Sequence, residues 1–146
     1  MADLTLKLKK MKTQEIYKQE ESIINEIKIY SKRFIKKMGG FYPFAISINK
    51  NNEISSIGAY EGNDFPKSQV LIDLLEKSIR SEISNNKILI AAICIDIFLY
   101  QTIEGLKIKK NAIEIRFLSA SDIKIEHLIY EISDNNSIKF IELIKP

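Results

Sequence analysis

Asp96 stands inside the most apolar run of the chain, ILIAAICIDIFLY over residues 88–100. An unpaired carboxylate is expensive to bury, so a strand that carries one must supply a partner, solvent or a ligand. In extended geometry Asp96 shares a face with Ile90, Ala92, Cys94, Phe98 and Tyr100. Leu89, Ala91, Ile93, Ile95, Ile97 and Leu99 line the opposite face without a polar break, and that face is expected to meet the main core. The small residues on the Asp96 face leave room for a helix, another subunit or a ligand. Arg116, on the strand that follows, is the expected cross-strand partner of Asp96, with lysines and His127 as alternatives. Structural pairing is favoured over ligand contact, and ligand contact over catalysis, because ion-pair networks so often mimic sites.

His127 is the single histidine and Cys94 the single cysteine. A nucleophile–base pair between them has no supporting motif, and Cys94 reads as a small buried hydrophobe. His127, near an expected bend in its strand, reads as structural. Asp96, Glu114 and His127 do not have the spacing of a metal site, so no metal and no cofactor is expected. There is no P-loop and no G-x-G-x-x-G, and Gly39-Gly40 precedes a strand rather than a helix, which excludes a phosphate on a helix N-terminus there. Tyr42, Tyr60 and Phe65, with Phe41 and Phe44, form a second candidate cluster, able to line a pocket or partner patch beside the EGNDFP loop. The favoured reading is that these aromatics fasten the first hairpin to the helices.

The elements that must position these residues follow from periodicity. Thr13–Met38 carries Ile16, Ile23, Ile27, Tyr30, Phe34 and Met38 on one helical stripe, with Thr13 as N-cap and Gly39-Gly40 as the stop. Phe44, Ile46 and Ile48 alternate as a strand, NKNNE turns the chain, and Ile54–Tyr60 returns. A second helix opens at Pro66 or Ser68, buries Val70, Leu71, Leu74, Leu75, Ile79 and Ile83, and closes at Asn85-Asn86. Lys87–Tyr100 reads as the central strand, Thr102–Asn111 as a lysine-bearing loop, and Ala112–Leu118 as a strand. Ile123–Ile132 changes phase near His127-Leu128, which predicts a bulge, and Ile138–Ile144 is the last strand. The expected fold is α+β, in the order α-β-β-α-β-β-β-β. Two amphipathic helices cover one face of a five- to six-stranded, mostly antiparallel sheet. Residues 1–12 are expected as a flexible segment or short edge strand, and 13–146 as a single domain.

Composition narrows the function classes. The 146 residues suit one domain with a real core. Lysine clusters at Lys7-Lys9-Lys10-Lys12, Lys32-Arg33-Lys36-Lys37 and Lys107-Lys109-Lys110 are separated by acidic residues, and the net charge is only +3. A nucleic-acid footprint would gather such charge on one face, with arginine for bidentate contacts and aromatics for stacking. A solvated surface is the favoured reading, with no specific nucleic acid. The N-terminal segment lacks the apolar core of a signal peptide and residues 88–100 are too short for a membrane span, so a cytoplasmic, non-membrane protein is expected.

The order α-β-β-α-β-β-β resembles the roadblock and profilin-type small α+β folds, departing where those close with a helix and this chain has Ile138–Ile144. Locally, GGFYPFA followed by AAICID is similar to small uncharacterised bacterial proteins that share G-x-F-x-P-F-A and A-A-x-x-x-D. That resemblance implies one recurring architecture for Gly40, Phe41, Pro43, Phe44 and Asp96, and no particular activity. The combined expectation is a bacterial, non-enzymatic protein–protein interaction module, pairing with a protein partner or with itself as a homodimer. Two other classes stay open: an immunity or antitoxin-like inhibitor of a toxin, and a small-ligand-binding or enzymatic domain using Asp96 and Arg116.

Overall fold

The computed structural model describes residues 2–58 and 67–145. Its elements are α1 (Ala2–Met38), β1 (Phe44–Asn49), β2 (Ile54–Ile57), α2 (Ser68–Ser84), β3 (Ile88–Ile103), β4 (Leu106–Ser119), β5 (Ile123–Ile132) and β6 (Ile138–Ile144). The order is α-β-β-α-β-β-β-β, and the six strands form one antiparallel sheet arranged β2-β1-β3-β4-β5-β6. This is the α+β architecture that the periodicities predict.

The two helices among the described residues lie on opposite faces rather than sharing one. Ile23, Ile27 and Ile35 of α1 pack with Phe44, Ile46, Ile90, Ala92, Cys94, Ile113 and Ile115. Ile72, Leu75 and Ile79 of α2 pack with Ala45, Ala91, Ile93, Ile95 and Leu118. Strand alternation explains the division, since neighbouring residues of β3 feed different layers. The larger core therefore lies on the Asp96 face, under α1, and the unbroken aliphatic face meets the smaller core. A register shift beside Ile48/Asn49 leaves Leu89 without a partner on β1, which lets Ile88 and Ile90 serve opposite cores.

α1 is longer than its stripe requires. Its 37 residues extend about 55 Å at the usual rise, and it runs straight through Thr13. Residues 2–12, expected as a loose segment or edge strand, are helical because Leu4, Thr5, Leu6 and the lysines around them continue an α-helical backbone without a breaker. Leu4, Leu6, Met11, Ile16 and Tyr17 are exposed, and burial begins at Gln19. Ile16 and Met38, placed on the buried stripe by periodicity, are thus solvent-facing. In α2 the stripe is rotated: Ile72 is buried while Val70 and Leu74 face outward.

The expected loop at 102–111 is instead the tip of a long hairpin. β3 continues to Ile103 and β4 begins at Leu106, paired in register from Ile90↔Ser119 to Ile103↔Leu106. Glu104 and Gly105 both have positive φ, 50° and 78°, as a two-residue primed turn demands. The Leu106-Lys107-Ile108-Lys109 alternation was the available strand signal, and the lysines disguised it as loop. β1 pairs β3 only as far as Cys94 and β5 pairs β4 only back to Asn111, so the hairpin end projects past both neighbours as an arm.

Candidate functional sites

Asp96 is part-buried on the α1 face, and its partner is not Arg116. The Tyr130 hydroxyl of β5 donates to Asp96 Oδ1 at 2.6 Å, and the Phe41 backbone N–H donates to the same carboxylate. Gly40 lies so close that an added Cβ would stand 3.1 Å from Asp96 Oδ2. The carboxylate thereby ties the α1–β1 connection to the centre of the sheet. Burial pushes its pKa up from the ordinary 3.8, against the downward pull of the Tyr130 and Phe41 hydrogen bonds. Tyr130 is pushed up strongly, by burial first and then by donating to Asp96. Gly40, Phe41 and Asp96, grouped by local sequence pattern, meet here in space. Both donors are neutral, so the carboxylate joins the α1–β1 connection to β3 and β5 through uncharged hydrogen bonds.

Arg116 points to the other face, opposite Ile93 of the α2 core. Its Nε donates to Glu114 Oε2 at 2.7 Å, and His127 Nε2 lies 3.6 Å from Glu114 Oε1. Arg116 and His127 therefore do come together, on Glu114, but neither meets Asp96. All three side chains keep partial solvent contact, and pairs of that kind contribute little. Cys94 is fully buried, on the Asp96 face, and burial pushes its thiol pKa well up, which makes it a poor nucleophile. Phe41 and Phe44 pack edge-on at 5.2 Å and join Phe34 and Tyr30 of α1, the fastening role expected of them. Tyr42 is exposed, and Tyr60 and Phe65 lie outside the described residues. Among the described residues no group of three or more His, Cys, Asp or Glu is placed to hold a metal ion.

Sequence reasoning missed two buried carboxylates, Glu20 and Glu126. Glu126 of β5 is 2% exposed and pairs with Lys124 at 3.2 Å, while Glu20 of α1 closes on the same ammonium. Burial lowers the Lys124 pKa, but hydrogen bonds and charge from Glu20 and Glu126 outweigh it, and the net shift is upward. The ammonium also stands 5.1 Å from the Phe117 ring centroid. The signal was present in β5, where the apolar phase changed. Lys124 and Glu126 occupy positions on the α1 face, while Ile123 and Ile125 turn to the other side and are exposed. The predicted bulge at His127-Leu128 is absent: β5 pairs β4 continuously there, and the irregularity falls against β6 at Ile129/Tyr130. Beside the triad an open cleft of about 750 Å³ runs between α1 and the β4–β5 turn, walled by Ile16, Tyr17, Leu89 and Phe117.

The arm is the other feature outside the expected sites. One of its faces carries Phe98 and Tyr100 on β3 with Lys109 and Lys107 on β4, and the other carries Leu99, Ile103, Leu106 and Ile108. Lys109 Nζ sits 3.8 Å from the Phe98 ring centroid and Lys107 Nζ 4.8 Å from that of Tyr100.

No family model matches this chain, and no similarity to a curated protein or to a solved structure was found. The α+β class with one antiparallel sheet is what the fold defines, and no helix among the described residues is long and apolar enough to cross a membrane.

Proposed function

We propose that this chain is a small non-enzymatic interaction module that binds a protein partner through its projecting β3–β4 arm. The observation that carries the reading is the arm's aliphatic side. Ile103 and Leu106, which flank the turn, are 43% and 68% exposed, and neither neighbouring strand reaches them. A two-stranded ribbon is marginal by itself in water, and grouped exposed aliphatics mark contact surfaces. The chemistry of the candidate residues also favours contact over catalysis: Asp96 is engaged by Tyr130 and Phe41, and Arg116 by Glu114. A bacterial cytoplasmic setting belongs to the same proposal.

The test is reconstitution. A protein recovered with the tagged chain from its native host, then purified separately, should bind the wild type and fail to bind Leu106→Asp. Leu106 is so exposed that this change leaves the fold and its melting temperature intact. A recovered protein that binds both forms alike, or a wild-type chain that is monomeric and recovers none, overturns the reading.

A further inference from the structure

We propose that the aromatic–lysine face of the arm is a binding surface for single-stranded nucleic acid, independent of sequence. This goes beyond the partner-binding reading and does not rest on it, since that reading uses the opposite face of the ribbon.

The argument starts from register. Phe98 pairs with Asn111, Tyr100 with Lys109 and Thr102 with Lys107, so all six side chains point to one side of the ribbon. Each lysine leans diagonally back onto the ring nearer the sheet. The result alternates rings and ammonium groups along the arm, the footprint that the lysine clusters alone did not supply. Phe98 and Tyr100 are 58% and 59% exposed, with an ammonium group over one face of each ring, so a base stacks there by displacing a flexible lysine. Two residues along a strand separate the rings by about 6.6 Å. That is roughly twice the ~3.4 Å rise per nucleotide in a duplex strand, so the rings suit bases of an extended single strand. Lys107 and Lys109, released from over the rings by stacked bases, then reach the backbone phosphates, with Lys110 on the ribbon's far side adding to the local field.

Other occupants fit less well. A second copy would bring its own lysines against these, because the arm's acidic residue, Glu104, sits at the turn rather than on this face. An acidic protein segment would use the lysines but has no need of two rings at base-pair-free spacing. The absence of arginine on the arm removes the usual base-edge reader, which is why the surface is assigned no sequence preference.

Fluorescence anisotropy of the full chain with a labelled short oligothymidylate tests this directly. Binding is expected with a Kd of about 1–100 µM at physiological salt, tightening at low salt. The logarithm of the association constant should fall with log salt at a slope of about −1.4, for two phosphate contacts at about −0.7 each. Phe98→Ala and Tyr100→Ala should each weaken binding about tenfold, as loss of one stacked base does, with the salt slope kept. Lys107→Ala with Lys109→Ala should flatten the slope. All four side chains are on the exposed arm, so unchanged thermal melts verify the fold of each variant. Equal or tighter binding of the duplex form overturns the proposal, as does binding that ignores the rings. Poly-L-glutamate binding as well as the oligothymidylate, dependent on the lysines alone, reassigns the face to acidic proteins and likewise overturns it.

Discussion

Near the two ends of its packed length α1 covers a carboxylate, and the chain solves the same problem in two ways. At the C-terminal end Asp96 is part-buried and held by neutral donors, the Tyr130 hydroxyl and the Phe41 N–H. Toward the N-terminal end Glu126 is almost wholly buried and shares one lysine with Glu20. Neutral donors stabilise a carboxylate through short, local hydrogen bonds and leave the charge itself uncompensated, so burial still raises the pKa. A lysine compensates the charge but must itself be desolvated, and here it serves two acids at once. The first device joins a loop to the sheet, whereas the second joins a helix to a strand. Loss of the shared cation should accordingly be the more damaging.

Lys124→Met tests that asymmetry at its largest. The change keeps much of the side chain's volume against Phe117 but strands Glu20 and Glu126 together beneath α1. Breaking a buried ion pair from one side costs about 3–5 kcal/mol, and the partial exposure of Lys124 places the expected loss near the lower bound, about 3 kcal/mol by denaturant titration. Adding Glu126→Gln to Lys124→Met should return a large part of it, because the deepest unpaired charge is then gone. A single-variant loss below about 1 kcal/mol would mean that the carboxylates reach solvent, and the contrast with Asp96 would collapse.

Tyr130→Phe probes the other device and should cost about 1–3 kcal/mol, the penalty for leaving a buried acceptor short of one donor. Its pH dependence carries the sharper information. The folded pKa of Asp96 lies above the ordinary 3.8, so the folded state holds the proton over a range where the unfolded chain has released it. Folding is therefore helped below 3.8, and that help is lost as pH rises through the folded value. Removing the Tyr130 hydroxyl takes a donor from the charged form and moves the folded pKa further up. The variant's deficit should thus grow from acid to neutral pH, and the carboxyl carbon shift of Asp96 should titrate later by NMR. A deficit independent of pH would show that the hydroxyl serves packing rather than the carboxylate.

These two sites were unequally legible in the sequence. Asp96 announced itself because a single acid interrupts an otherwise apolar strand, and the need for a partner followed from the cost of burial. Its partner did not follow, because Tyr130 is two strands away and the Phe41 N–H is a backbone group with no residue signature. Glu126 was hidden by its setting in IKIEHLIY, where alternating charge reads as a solvated face. Only the long-range approach of Glu20 makes Lys124 and Glu126 interior. Element order was readable throughout, since strand and helix periods are local. Which face each helix covers was not, because a connection of the right length can deliver α2 to either side. The arm is illegible for a local reason, because alternating lysines around a Glu104-Gly105 turn read as a loop.

Arg116→Ala should have the smallest effect of the three and closes the comparison. Arg116 was the expected counter-ion of Asp96, and had it been so, its loss would strand a buried carboxylate and resemble Lys124→Met. It instead pairs with Glu114 on the α2 side, 34% exposed, with His127 close by to share the acid. Exposed pairs of this kind are worth about 0.2–1 kcal/mol and weaken with salt. The expected change is about 0.5 kcal/mol by denaturant titration, shrinking further in high salt, with the acid-to-neutral pH profile of Asp96 unmoved. A loss approaching that of Lys124→Met, or a displaced Asp96 titration, would tie Arg116 to the buried face after all. The division of labour between the two faces of the sheet would then have to be redrawn.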